Sequence, residues 1–414
     1  METGQSVTHG GWLRMPQGKL GQTGLIVLIT LVNIIMPFST DMYTPAIPSL
    51  PEHFGTTEPV VNLTLIGFFV FMTFAMLVFG PLSDRFGRKP IFVGSMVIYT
   101  AGSLLCAVSG SIGMLIVSRI VQSIGAGGAV AVSTALVKDC FVEDKREKII
   151  ALLQVLGVVG PVASPLIGGF LLRFFSWHAS FFVLGGLGAV SLLLTLLFEE
   201  SLPEDERRQG GVMSTLGGLA EVGRNRAFMV FLITVGLFSV PFFAYIAVGS
   251  YIYIDFFGTS PQGYTYFFAA TSAFMALGPV LWIRASSRGM TPRLFTHGVF
   301  ALCLAAGAVL LGWGSTSVWV FCAALMLFCL AESAVRPYAT NILLSQQERD
   351  TGSASSLINF VFNVMGVLGM ALAVLPWPNY VVGIGVLMTA CTALALLLWI
   401  WLLKSKSMHI KELE

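Results

Sequence analysis

The sequence predicts an all-α membrane protein of twelve transmembrane helices, with both termini cytoplasmic. Three observations predict it. The 414 residues are 56% hydrophobic and 11% charged, with mean hydropathy +0.84, more apolar surface than a soluble chain of this length could bury. Apolar stretches of about 20 residues, long enough to cross a bilayer as a helix, occur twelve times. Of 23 Lys and Arg residues, Arg119 and Arg336 lie within spans, Arg173 falls in an outer loop, and the remaining 20 sit at the termini or after even-numbered spans. An excess of cations marks the cytoplasmic side.

In chain order, the first half holds apolar runs at 24–44, 60–82, 91–108, 112–136, 149–173 and 177–198. The second half holds runs at 228–254, 263–284, 294–313, 317–343, 353–375 and 380–403. Residues 1–20 read as a polar cytoplasmic lead, because no short apolar run with a cleavage site precedes the first span. Residues 199–226 form the one long polar connection, in which 214–222 has the pattern of an amphipathic segment on the inner surface. The expected division is a first bundle over 1–203, a cytoplasmic linker over 204–226, a second bundle over 227–404 and a cytoplasmic tail over 405–414. The six cysteines have no paired extracellular spacing and no metal-ligand spacing, so they read as small packing residues, with no metal site.

Span 2 runs into Gly80-Pro81-Leu82-Ser83-Asp84-Arg85-Phe86-Gly87-Arg88-Lys89-Pro90, read as a short charged turn before span 3. Its glycines allow close approach or positive φ, its prolines punctuate the helices, and its cations mark the inner side. The bland reading is a plain positive-inside turn. Gly278-Pro279 in span 8, followed by Arg284, Arg288 and Arg293, echoes it without the Asp and the second Gly, so the halves look like weak copies.

The pattern G-x-L-x-D-R-x-G-R-K-P resembles the loop between spans 2 and 3 of the major facilitator superfamily. Span 1 carries Ser39-Thr40-Asp41-Met42-Tyr43-Thr44-Pro45-Ala46-Ile47-Pro48. With Ser176-Trp177-His178, Glu200-Ser201-Leu202-Pro203 and Gly352-Ser353-Ala354-Ser355-Ser356-Leu357, it resembles the bicyclomycin-resistance (Bcr/CflA) branch of drug:H⁺ antiporters. The resemblance covers nearly the whole chain and is weaker from span 7 to span 10. It implies two pseudo-symmetric six-helix bundles around a central site, and a conformational latch at Gly80, Asp84, Arg85, Gly87 and Arg88. Relatives expel antibiotics or export metabolites, and the resemblance does not choose among these.

Arg119 and Gln122 in span 4 resemble the family's R-x-x-Q motif and share one helix face. An Arg in mid-span is costly and needs partners, whether for function or, as the structural alternative, for packing onto carbonyls. Gly157, Gly160, Pro161, Gly168 and Gly169 in span 5 resemble the antiporter motif of exporters. Small residues at such steps let span 5 press against a helix of the other half, or serve ordinary packing.

Asp41 and Arg119 reach similar depths and are the proton-coupling candidates. Burial favours a protonated carboxyl and a nearby guanidinium favours the ionised one, so a motion that alters either moves a proton. A structural, helix-capping Asp41 is the alternative. Some drug-exporting relatives carry a second acid eight positions before Asp41, where this chain has Asn33; one titrating site is therefore expected, with Asn33 a ligand contact. The remaining cavity candidates are Met36, Tyr43, Gln122, Phe238, Phe242, Tyr245, Glu332, Arg336, Asn359 and Asn363. Glu332 and Arg336, spaced i, i+4 with the acid first, suit either a mutually neutralised pair or a charged cavity wall.

The expected function is proton-coupled export of small, largely apolar compounds by alternating access, in a bacterial inner membrane. Partners are the substrate, protons and the bilayer, with no nucleic acid, no cofactor beyond the proton gradient, and a monomeric state. A dedicated metabolite or siderophore exporter, or a nutrient importer, is the rival; a non-transporting receptor is the more distant one. An enzyme is not expected, for lack of a nucleotide-binding loop, a nucleophile–base pair or metal-ligand spacing.

Overall fold

The computed structural model describes residues 12–14, 17–207, 212–346, 351–405 and 410. Among these, twelve helical segments are long and apolar enough to cross a membrane. They are spans 1–6 at Gly21–Phe54, Glu58–Phe86, Arg88–Ala107, Ile112–Cys140, Lys145–Phe174 and His178–Leu197. Spans 7–12 are Arg226–Phe256, Pro261–Ser287, Pro292–Thr316, Val318–Ser345, Ser353–Ala373 and Tyr380–Lys404. Within the linker, Val212–Gly223 is helical. The expected tail over 405–414 lies outside the described residues except for Ser405 and Ile410. Trp12–Arg14 lies along the span 4–5 turn, where Arg14 donates to the Cys140 carbonyl (2.7 Å) and Val142 to that of Trp12 (3.1 Å).

Prolines decide where the spans break. A proline cannot donate to the carbonyl four residues earlier, and apolar surroundings supply no water to replace the bond. Pro45 orphans the Asp41 carbonyl, the helix of span 1 stops at Asp41, and the Thr44 hydroxyl fills the vacancy at 2.8 Å. The chain continues as a 3₁₀ turn, Thr44–Ser49. Pro37 does not end the helix, which runs through it to Asp41. In span 8, Pro279 orphans the Met275 carbonyl, the helix breaks after Met275, and Ser333 of span 10 donates to it at 2.6 Å.

The charged turn between spans 2 and 3 is also shorter than the sequence reading made it. Helix continues through Gly80-Pro81 to Phe86 and resumes at Arg88. Gly87 alone reverses the chain, with φ +98°, a value that L side chains rarely adopt. Pro81 does not end the helix, which runs on to Phe86, and the Ser83 hydroxyl donates to the Gly80 carbonyl at 2.7 Å within that last turn. Gly80 itself faces open space, so no close approach depends on it here.

The halves meet where span 5 packs on span 8 and span 2 on span 11. Polar contacts across the joint gather at the end opposite the basic loops. There Tyr264 of span 8 donates to Thr44 at 3.3 Å, and Tyr380 of span 12 donates to Glu58 of span 2. Tyr43, Thr44, Tyr251, Tyr253 and Tyr264 are buried at this end, which is closed. Among the described residues no ion pair crosses between the halves. The far seal thus rests on hydroxyls and rings.

Candidate functional site

Arg119 is held from several sides, with its Nη2 buried and without a hydrogen-bond partner. It is fully buried in span 4, and glycines bring its neighbours close: a Cβ at Gly102 of span 3 would collide with the Gln122 backbone. Its Nη1 donates to the Ser39 carbonyl (2.8 Å) and to Gln122 Oε1 (2.6 Å), while Nε approaches the Thr64 carbonyl at 3.4 Å. Gln122 in turn donates to Ser103 at 2.9 Å. The guanidinium carbon lies 4.2 Å from the Phe68 ring centre, 4.8 Å from Tyr43 and 5.7 Å from Phe181. Among the described residues no carboxylate forms an ion pair with the cation. Carbonyl dipoles and ring faces surround it instead, which is how a planar, weakly hydrated guanidinium is best held in a dry site.

This cage reassigns two cavity candidates. Tyr43 is fully buried beneath Arg119, its hydroxyl paired with Thr64 at 2.7 Å, and Gln122 is spent on Arg119 and Ser103. Neither lines open space. The rings and the amide are drawn inward because an unshielded buried cation costs more than their loss from a cavity wall.

Asp41 stands beside the cage and outside it. Residues two apart on a helix point roughly 200° apart. Ser39, gripped by Arg119 and bonded to Tyr99 at 2.9 Å, faces the interior of the first half. Asp41 therefore faces the other way, toward the joint where Thr44 meets Tyr264. It is 5% exposed and makes no ion pair; the Thr40 hydroxyl is its polar neighbour, and the charge of Arg119 acts on it from a distance. Similar depth does not bring Asp41 and Arg119 into an ion pair.

The other span 1 candidates divide. Asn33 donates to Ser133 of span 4 at 2.9 Å and to the Ile29 carbonyl at 2.8 Å, so its amide donors are committed. Met36 is half-buried. In span 5, Gly160 meets Pro37 and Gly168 meets the Met42 carbonyl, both within the same half. Gly169 alone of the four glycines presses on the other half, at Gln262 and Thr265, while Gly157 faces open space and Pro161 is half-buried. The expected joint between halves narrows to one residue of the motif, since the rest of its face is turned to the broken end of span 1.

In the second half, Phe238 packs on Phe300 and Phe328 inside the bundle, 2% exposed, instead of on a cavity wall. Tyr245 is buried and stacked on Phe268, its hydroxyl without a partner. Phe242, Arg336 and Asn363 are half-buried, and Asn359 is exposed with its amide on the Ser355 carbonyl at 3.0 Å. Glu332 is 4% exposed and unpaired.

At the basic end, Arg88 is the hub of the turn. It pairs with Asp84 (2.5 Å) and with Asp139 at the end of span 4 (2.8 Å), and bonds Ser83 at 2.6 Å. Arg85 is exposed over Phe86 and takes no part. Glu200, absent from the sequence candidates, accepts from the Arg88 and Lys89 amides at 2.9 and 3.1 Å, capping span 3 from 111 residues away. An acid before Ser201-Leu202-Pro203 is visible in sequence, but its target is not. Removing such a cap costs about 0.5–2 kcal/mol. Glu200→Ala is expected to lower the thermal midpoint of the purified protein; an unchanged midpoint would show that the cap carries no stability.

The family model described as Major Facilitator Superfamily matches residues 29–370. The chain is 26% identical over 365 residues to a chloramphenicol resistance protein of Pseudomonas aeruginosa, covering 85% of each. It is 26% identical over 247 residues to a bicyclomycin resistance protein homolog of Haemophilus influenzae, covering 59% of this chain and 61% of the relative. Among solved structures, a bacterial homolog of the human lysosomal transporter Spinster superposes with a TM-score of 0.73 at 14% identity, over 95% of this chain and 98% of that one.

Proposed function

The chain belongs to the major facilitator superfamily, and from that premise we propose that it is a proton-coupled exporter of small, largely apolar compounds such as antibiotics. That it is a multi-pass membrane transporter with antibiotic-resistance relatives follows from the family and those homologues. The finer reading rests on one observation. Asp41 is a buried acid with no ion-pair partner, set where span 1 breaks and where the two halves meet. A carboxyl there changes surroundings when the halves rock, without breaking the Arg119 cage. That is what exchange of a proton for a substrate requires.

In this reading the basic end faces the cytoplasm of a bacterium, by the excess of cations in its loops. The conformation is then closed to the outside, and a monomer suffices because both halves are on one chain. The Arg88 hub belongs wholly to the first half, so the 2–3 turn is free to latch onto the second half when the inner side closes. One proton moving down roughly 150 mV supplies about 3.5 kcal/mol. That sustains a gradient of a neutral solute of about 300-fold, at about 1.4 kcal/mol per tenfold.

The test is growth of a pump-deficient bacterium expressing the protein across a panel of antibiotics, with and without an uncoupler. Protection against chemically unrelated compounds, lost with the uncoupler, is the expected result. Protection confined to one compound would favour a dedicated exporter, and protection indifferent to the uncoupler would overturn proton coupling.

A further inference from the structure

Halfway along span 10, two opposite charges stand four residues apart on one helix face and do not pair. Glu332 and Arg336 have the spacing and order that favour an ion pair, with Cβ atoms about 6 Å apart. No ion pair joins them. The Arg336 guanidinium lies 4.8 Å from the ring centre of Phe362 in span 11, half-buried. Glu332 is 4% exposed, and its Oε2 is buried without a hydrogen-bond partner. Its neighbours along the helix, Phe328, Ala331 and Val335, are buried and apolar.

A structural pair would be closed, because closing it removes the cost of burying either charge alone. Leaving both open in an apolar span is costly, and such residues mark ligand paths or proton paths in membrane proteins. The separation matters as much as the burial. Two complementary charges held apart match a ligand with its own separated charges, and each would gain a charge-assisted hydrogen bond on binding.

We propose that Glu332 and Arg336 are the two ends of a recognition site for dipolar substrates, those carrying an ammonium group and a carboxylate. The ammonium meets Glu332, deeper in the span, and the carboxylate meets Arg336, nearer the basic end. Phe362 holds the guanidinium in place while the site is empty. This rests on the export reading above and narrows its substrate class.

The experiment uses everted membrane vesicles containing the full chain and three probes: a zwitterionic fluoroquinolone, its methyl ester, which keeps only the ammonium, and neutral chloramphenicol. Rates are taken relative to chloramphenicol, with the amount of folded protein checked by size-exclusion chromatography. Arg336→Gln is expected to lower the relative rate for the zwitterion about tenfold, the loss of one charge-assisted hydrogen bond, and to spare the ester. Glu332→Gln is expected to lower both, and Glu332→Asp to restore them in part. Equal relative rates for all probes in every variant would overturn the site while leaving export standing. A wild type that moves chloramphenicol and neither quinolone would do the same. If the wild type moves none of the three, the export reading itself falls, and the site with it.

Discussion

Asp41→Asn is expected to abolish pH-gradient-driven accumulation in proteoliposomes while binding and downhill exchange persist. The substitution keeps shape and removes the titrating proton. It should not unfold the protein, because the Asp41 side chain closes no ion pair, and the bond that repairs the broken helix runs from Thr44 to the Asp41 backbone carbonyl. Accumulation should fall from a ceiling of about 300-fold to none, the whole of what one proton can drive. Uphill, proton-driven transport surviving in the variant would place the coupling site elsewhere.

Arg119→Lys is expected to fail almost as badly as Arg119→Gln. Charge is conserved in the first and lost in the second, so a role resting on charge alone would separate them widely. The cage argues that it will not. Nη1 serves two acceptors at once, Nε leans on a third, and the plane lies against the Phe68 and Tyr43 rings. An ammonium is a compact, strongly hydrated point charge that cannot reproduce the fork or the stacking. The lost charge-assisted bonds are worth about 1.5–3 kcal/mol each, and a desolvated cation–π contact about 2. Both variants should therefore show a lower thermal midpoint, less folded protein and at least tenfold slower transport. Near-native midpoint and transport in the Lys variant would show that only the positive charge matters.

What the sequence determined by itself was whatever depends on local, additive properties. Apolar length places twelve spans, cation counts give the two ends different characters, and the G-x-L-x-D-R-x-G-R-K-P run points to the family. That a glycine of this run could take a positive φ was legible too, but only the structure shows it to be Gly87 and not Gly80. Arg119 stood out as an Arg in the middle of a membrane-spanning run. The tertiary structure decided which polar group meets which. It kept Asp41 from pairing with Arg119, because the cage holds Ser39 on one side of the helix and leaves Asp41 on the other. It took Tyr43, Gln122 and Phe238 off the cavity walls, brought Glu200 and Asp139 to Arg88, and sent Ser333 across to the carbonyl that Pro279 orphans. It left Glu332 and Arg336 apart at a spacing that sequence alone reads as a pair. In an apolar bundle, polar groups find partners only on the helix faces that packing turns toward each other. Those faces are set by bends, glycine contacts and neighbours hundreds of residues away, which a linear pattern does not carry.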